Sequence, residues 1–146
     1  LIPGNVISDR RLDPSTQALT LADVRRPGSP LVWVNQGFEK MTGYTRDEAV
    51  GRNCRFLQGP DTSTEAVAQM REAISREESL IVDVLNYRKS GTAFWNRLSL
   101  VPVLNSEGKA MHYIGIQSDI TGMKALQDRL HELVTKTYLV DKLIIE

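Results

Sequence analysis

The chain has 146 residues, 41% of them hydrophobic, with 18 basic and 18 acidic side chains that cancel to zero net charge. That length and apolar content suit one core domain with a short appendage. Mixed, balanced charge lacks the basic footprint of a nucleic-acid or anionic-membrane binder, so no nucleic acid and no membrane is expected as a partner. The single cysteine allows no internal disulfide, no apolar run would span a bilayer, and nothing at the start resembles a secretory signal. A cytoplasmic protein that meets small molecules and other proteins is expected. The start at Leu1 rather than Met reads as a piece of something longer, leaving room for an output domain outside it.

Residues 1–18, with Pro3, Gly4, Asp13 and Pro14 and little periodicity, read as a surface lead-in. Apolar runs at 18–24 and 31–35, split by Arg26-Pro27-Gly28-Ser29-Pro30, predict two strands joined by a tight connection. Short helices are predicted over 36–42, 46–50 and 53–58, ended near Gly43, Gly51 and Gly59-Pro60. A longer helix over 63–77 follows from the capping-box spacing of Thr62 and Glu65 and the stripe of Val67, Met70 and Ile74. Strand patterns at 79–87, 92–104 and 109–119, with turns at Lys89-Ser90-Gly91 and 105–108, form an antiparallel meander. The sum is an α+β domain over 19–119: one five-stranded antiparallel sheet, helices covering one face, and a pocket between. Beyond it, over 120–146, Met123, Leu126, Leu130, Leu133, Thr137, Val140 and Ile144 alternate spacings of three and four, a heptad seam. Such a helix needs a partner, either its own sheet or a second chain, and the alternation favours a parallel coiled coil and a homodimer.

Alternation puts Leu80, Val82, Val84 and Asn86 on one strand face, Phe94, Asn96, Leu98 and Leu100 on the next, and Tyr113, Gly115 and Gln117 on the last. Each strand thus carries an amide on an apolar face, and a buried amide without partners costs on the order of 1–3 kcal/mol. Asn86, Asn96 and Gln117 either share a planar heterocycle with donors and acceptors along one edge or pair with one another and the backbone. Arg71 falls in the apolar stripe of the long helix and, with Arg55, fits a phosphate clamp; the alternative is a guanidinium that snorkels to solvent. Cys54 is the only thiol, and a lone buried cysteine is more often a small core hydrophobe than a nucleophile. No histidine or lysine lies near it in sequence to act as a base, so ordinary thiolate catalysis is disfavoured and the protein does not read as an enzyme. His112 and His131 lack metal-ligand spacing, and no metal is expected. Trp33 and Trp95 read as sheet-face packing or dimer contacts, and Arg10-Arg11 and Arg25-Arg26 as solvated loop charges.

The run Gly51-Arg52-Asn53-Cys54-Arg55-Phe56-Leu57-Gln58-Gly59-Pro60 resembles the signature of the LOV (light, oxygen, voltage) photoreceptors, a branch of the PAS fold. The resemblance continues through residues 35–44, Leu85-Asn86-Tyr87, Gly91, Phe94-Trp95-Asn96 and residues 113–119, and so covers roughly 19–119. It implies the PAS fold and a bound FMN. In that reading Arg55 and Arg71 hold the phosphate, Asn53 and Gln58 help anchor the ribityl chain and ring, and Asn86 and Asn96 bond the pyrimidine edge. Gln117 faces O4 and N5, Leu57, Val67, Met70, Ile74, Leu98, Leu100 and Tyr113 enclose the ring, and Gly115 leaves it space. The loop over 59–63 is short, whereas relatives that favour FAD carry a longer one, so FAD or riboflavin is a weaker expectation than FMN. Many relatives have threonine at the position of Ala22 and phenylalanine at those of Leu98 and Tyr113, which leaves adduct lifetime and spectral detail open.

The resemblance further implies a blue-light receptor: FMN is bound noncovalently in the dark, and light forms a reversible bond between the Cys54 sulfur and flavin C4a. N5 then changes from acceptor to donor, which should push the Gln117 amide to reorient, because polarity must match at a buried site. The signal is expected to leave through the C-terminal helix and the dimer. A flavin-PAS redox or oxygen sensor, a flavin oxidoreductase, and a sensor excised from a histidine kinase are the alternatives.

Overall fold

The structure, a computed structural model, describes residues 17–145; the predicted lead-in over residues 1–16 lies outside them. The first strand, β1 (Ala18–Asp23), starts where the apolar run at 18–24 starts and turns back into β2 (Leu31–Val34). Gly28 and Ser29 both adopt positive φ in the connection, and the Ser29 N–H donates to the Arg26 carbonyl at 3.0 Å. Asn35 then caps helix α1 (Gln36–Thr42). Its Oδ1 accepts from the N–H groups of Phe38 (3.0 Å) and Leu19 (2.8 Å), so one buried amide both starts the helix and ties it to β1. Gly43 ends the helix in the left-handed conformation, φ 80°, where a Cβ would be strained.

Thr45 and Glu48 form a reciprocal capping box around α2 (Arg46–Ala49), and Asn53 caps a 3-10 helix, Cys54–Leu57. Helix α3 (Thr64–Ser75) is capped by Ser63, whose Oγ accepts from the Ala66 N–H at 3.3 Å, rather than by Thr62. Thr62 is engaged elsewhere: its hydroxyl donates to the Leu85 carbonyl (2.6 Å) and accepts from the Gly59 N–H (3.0 Å), which fastens the short loop before α3 to the sheet.

Three further strands, β3 (Leu80–Tyr87), β4 (Ala93–Leu104) and β5 (Ala110–Asp119), complete an antiparallel sheet in the order β2-β1-β5-β4-β3. The first strand thereby pairs with the last, bringing Thr20 opposite Gly115, while Leu98 lies opposite Gln117 on the other side of β5. Two apolar clusters hold the helices to one sheet face. Ala18, Leu31, Val34, Phe38, Ala49 and Leu57 form one, and Ala66, Val82, Val84 and Leu98 the other. Burial of each large side chain in them contributes roughly 1.5–3 kcal/mol. The functional cavity opens beside these clusters, between the helices and the sheet.

The last helix, α4 (Thr121–Ile145), leaves the domain after Asp119. Only its first turn is clipped to the sheet: the Trp95 N–H donates to Thr121 Oγ1 and the Ile120 N–H to the Trp95 carbonyl, both at 2.9 Å. Leu126, Leu130, Leu133 and Val140 remain 68%, 60%, 52% and 54% exposed, so the seam is not spent on the chain's own sheet.

Candidate functional site

A cavity of about 320 Å³ lies between the sheet and the helices. Its sheet wall includes Asn86, Asn96, Leu98, Leu100, Tyr113, Gly115 and Gln117 of β3, β4 and β5, with Thr20 and Ala22 of β1 beside them. Val67, Met70, Arg71 and Ile74 of α3 face them, and Asn53, Cys54, Arg55 and Gln58 close the side formed by the 3-10 helix. One expected ring contact is absent from the lining: Leu57 is 2% exposed and packs against Phe38, Val34 and Ala49, where it pins the 3-10 helix that presents Cys54. The apolar cluster beneath that turn, not the cavity, takes its side chain.

Arg71 is exposed rather than part of the buried helix face, which Ala66 and Ala73 supply. Arg55 is likewise exposed. Both guanidinium groups line the cavity, and neither forms an ion pair among the described residues. Among the described residues no aspartate or glutamate lines the cavity, and the charged residues that do are both arginines, which favour an anion.

The amides divide. Asn96 Nδ2 donates to Asn86 Oδ1 at 3.0 Å and Asn96 Oδ1 accepts from the Ser118 N–H at 3.3 Å, so these two do pair with each other. Asn86 Nδ2 is left with one long bond of 3.4 Å to the Leu85 carbonyl and keeps donor capacity. Gln117 Nε2 donates to Thr20 Oγ1 at 3.1 Å, while its Oε1 is buried with no hydrogen-bond partner among the described residues. An unmet acceptor in that position costs about 1–3 kcal/mol until a donor arrives. Asn53 is already engaged at both ends: Oδ1 accepts from the Arg55 N–H (2.9 Å) and Nδ2 donates to the Gly28 carbonyl (2.6 Å), binding the 3-10 helix to the β1–β2 hairpin. Sequence reasoning did not foresee this capping role.

Cys54 is half-buried and free. Burial pushes its thiol up to about 12, so it stands as a neutral S–H at physiological pH. The Tyr113 hydroxyl reaches the carbonyls of Ala73 (3.2 Å) and Glu78 (3.0 Å), fastening the end of α3 to the sheet. Burial first, and then the charges of Glu77 and Glu78, raise its pKa. Gly115 makes room for a neighbour more than for a ligand: a Cβ there would run into Thr20 Oγ1 and Gln117 Nε2.

Sequence reasoning did not single out Thr20, Val24, Ser29, Leu31 or Val84 as lining residues, nor Ala22 as more than a departure from the common pattern. Thr20 was open to detection, since it is the one polar inward position between Ala18 and Ala22 of β1. Among the described residues no cluster of histidine, cysteine, aspartate or glutamate has the makings of a metal site, and no helix is long and apolar enough to cross a membrane. An anionic, planar, hydrogen-bonding group fits the lining: two arginines, a donor at Asn86, an unmet acceptor at Gln117 and apolar walls.

A family model described as "PAS domain" matches residues 21–122. Blue-light-activated histidine kinase 1 of Erythrobacter litoralis is 45% identical over 127 residues, which cover 80% of this chain and 35% of that protein. The chain thus spans about a third of that relative's length. The solved LOV domain of the Erythrobacter litoralis EL346 blue-light activated histidine kinase matches with a TM-score of 0.70 at 43% identity, covering 72% of this chain and 96% of that one. An RNA-binding light-oxygen-voltage receptor matches with a TM-score of 0.82 at 38% identity, covering 92% of this chain and 39% of the other. With its sheet order, its cavity and a near-complete match to an isolated LOV domain, the chain belongs to the PAS family and, within it, to the LOV branch.

Proposed function

We propose that the chain is a blue-light sensor module that seats FMN in the cavity and uses Cys54 as its reacting thiol. One observation carries the reading: the free thiol lines the same cavity as the buried Gln117 amide, of which only one end is bonded among the described residues. When bound and excited by blue light, the flavin supplies a ring carbon that takes the sulfur and a ring nitrogen that takes the thiol proton. Everything else belongs to the protein. A buried, un-ionised thiol with no histidine or lysine near it in sequence to act as a base stays inert until such a partner is generated, which suits a sensor that must be silent in the dark.

Arg55 and Arg71 would hold the phosphate at the mouth, which argues for FMN over riboflavin. The loop fastened by Thr62 leaves little slack for the adenosine of FAD. Asn86 and Asn96 would meet the pyrimidine edge and Gln58 the ribityl side, and Gln117 would meet the carbonyl and nitrogen beside the reacting carbon, both acceptors in the dark, with its amide turned so that Nε2 faces them. Val67, Met70, Ile74, Leu98, Leu100 and Tyr113 would exclude water from the ring. Signal would pass from Gln117 along β5 to Asp119 and so into α4, whose exposed seam favours a homodimer. The relative's kinase name makes an effector domain attached beyond α4 the natural recipient.

Blue light on the purified protein tests this directly. Reversible loss of the blue absorbance band is expected, and Cys54→Ala and Cys54→Ser should each retain flavin yet lose the response. Bleaching that persists in both variants, or that needs an added reductant, would instead make the chain a redox sensor.

A further inference from the structure

We propose that Thr20 is the positioning residue for Gln117, a hydroxyl that keeps the amide hydrogen-bonded in either of its two orientations. The proposal rests on the reading of Gln117 as the amide facing the flavin. Thr20 is 4% exposed and Gln117 1% exposed, so neither has water as a substitute partner. They lie on adjacent antiparallel strands, with Thr20 directly opposite Gly115 and Gln117 on the diagonal. Gly115 is what lets the two meet, because any Cβ there would occupy the space of the Thr20 Oγ1 and Gln117 Nε2 atoms.

The chemistry of the two groups differs in a useful way. An amide has a donor end and an acceptor end, so turning it over exchanges what each side offers, whereas a hydroxyl is donor and acceptor at once and rotates to suit. In the orientation seen, Gln117 Nε2 donates to Thr20 Oγ1 and Oε1 is left for the cavity. With the amide reversed, the Thr20 hydroxyl donates to Oε1 and Nε2 is offered to the cavity. The protein-side bond survives both ways. A partner with only one polarity, such as a backbone carbonyl, would hold the amide in a single orientation and oppose any reversal. A valine of the same shape would leave the amide end unpaired in both.

Thr20→Val and Thr20→Ser separate this from mere packing. Side-chain amide NMR of Gln117 in the dark should show a displaced NH2 pair in Thr20→Val and the native pair in Thr20→Ser. Light-minus-dark infrared spectra with labelled glutamine should show the Gln117 band changed in Thr20→Val and restored in Thr20→Ser. Recovery in the dark should shift about fivefold or more in Thr20→Val, as expected for one lost neutral hydrogen bond. Gly115→Ala, which forces the pair apart from the other side, should reproduce the Thr20→Val amide shift. A native Gln117 resonance and band in Thr20→Val, or a Thr20→Ser protein that behaves like the valine variant, overturns the proposal. Wild-type protein that binds no flavin or does not bleach overturns the photoreceptor reading instead, and the dark NMR comparison still decides whether Thr20 orients the amide.

Discussion

At Cys54 the protein combines exposure to a cavity with an environment that suppresses ionisation. A shift from 9.0 to about 12 leaves about a thousandfold less thiolate at any pH below both values. Dark alkylation by iodoacetamide at neutral pH should therefore run slower than that of a free cysteine by up to that factor, measured by mass spectrometry over time. Reaction at the free-thiol rate would mean that the sulfur is not held as described. The signature around Cys54 was legible in the sequence because contiguous residues carry it. The bond of Thr20 to Gln117, the place of Leu57 in the Phe38 cluster and the bond of Asn53 to Gly28 were not legible, since each depends on a neighbour distant in the chain. Period-two alternation reports which face a residue is on, not whether that face meets a ligand, a core cluster or a cap.

Among the elements, the junction between β5 and α4 is held by polar bonds on either side of a buried Ile120. Asp119 accepts from the Thr121 N–H (3.0 Å) and hydroxyl (2.6 Å) and pairs with Arg88 at 2.7 Å. Burial pushes its pKa upward, but the bonds from Thr121 and Arg88 outweigh it and hold the carboxyl below its ordinary 3.8. A depressed carboxylate stabilises the fold above the unfolded value and loses that contribution as pH falls through the folded one. Amide exchange at the start of α4 should accordingly quicken below about pH 3.8, and Asp119→Asn should show the same loosening at neutral pH. With solvent screening the contribution is roughly 0.5–1 kcal/mol, and equal exchange rates in variant and wild type would refute the latch. At the other end of the sheet, Tyr113→Phe removes the hydroxyl that fastens α3, at a cost of about 0.5–1.5 kcal/mol in urea unfolding. Element positions were legible from periodicity and turn residues. The N-cap of α3 was assigned to Thr62 rather than Ser63, because both hydroxyls suit an N-cap and the Thr62–Leu85 bond is what tells them apart.

For the whole molecule, the unpaired surface is the seam on α4. Leu126, Leu130 and Leu133 repeat at spacings of four and three and stay more than half exposed, and Thr137, in the same seam, has its hydroxyl bonded to the Leu133 carbonyl at 2.9 Å. That bond leaves the seam free of unmet polar groups, so a second copy would close it without a desolvation penalty at Thr137. The heptad spacing was plain from the sequence and already favoured another chain over the chain's own sheet, and the exposure of that face adds to the same preference. Each leucine withdrawn from water in a dimer contributes up to about 1.5–3 kcal/mol. Replacing Leu130 by Asp puts a charge at the centre of that seam in both copies. Sedimentation equilibrium should show a dimer for the native protein and a monomer for Leu130→Asp, with helix content falling only at the distal part of α4. An unchanged dimer in the variant would move the interface to the outer sheet face, where Ile81 and Val101 are the exposed apolar residues.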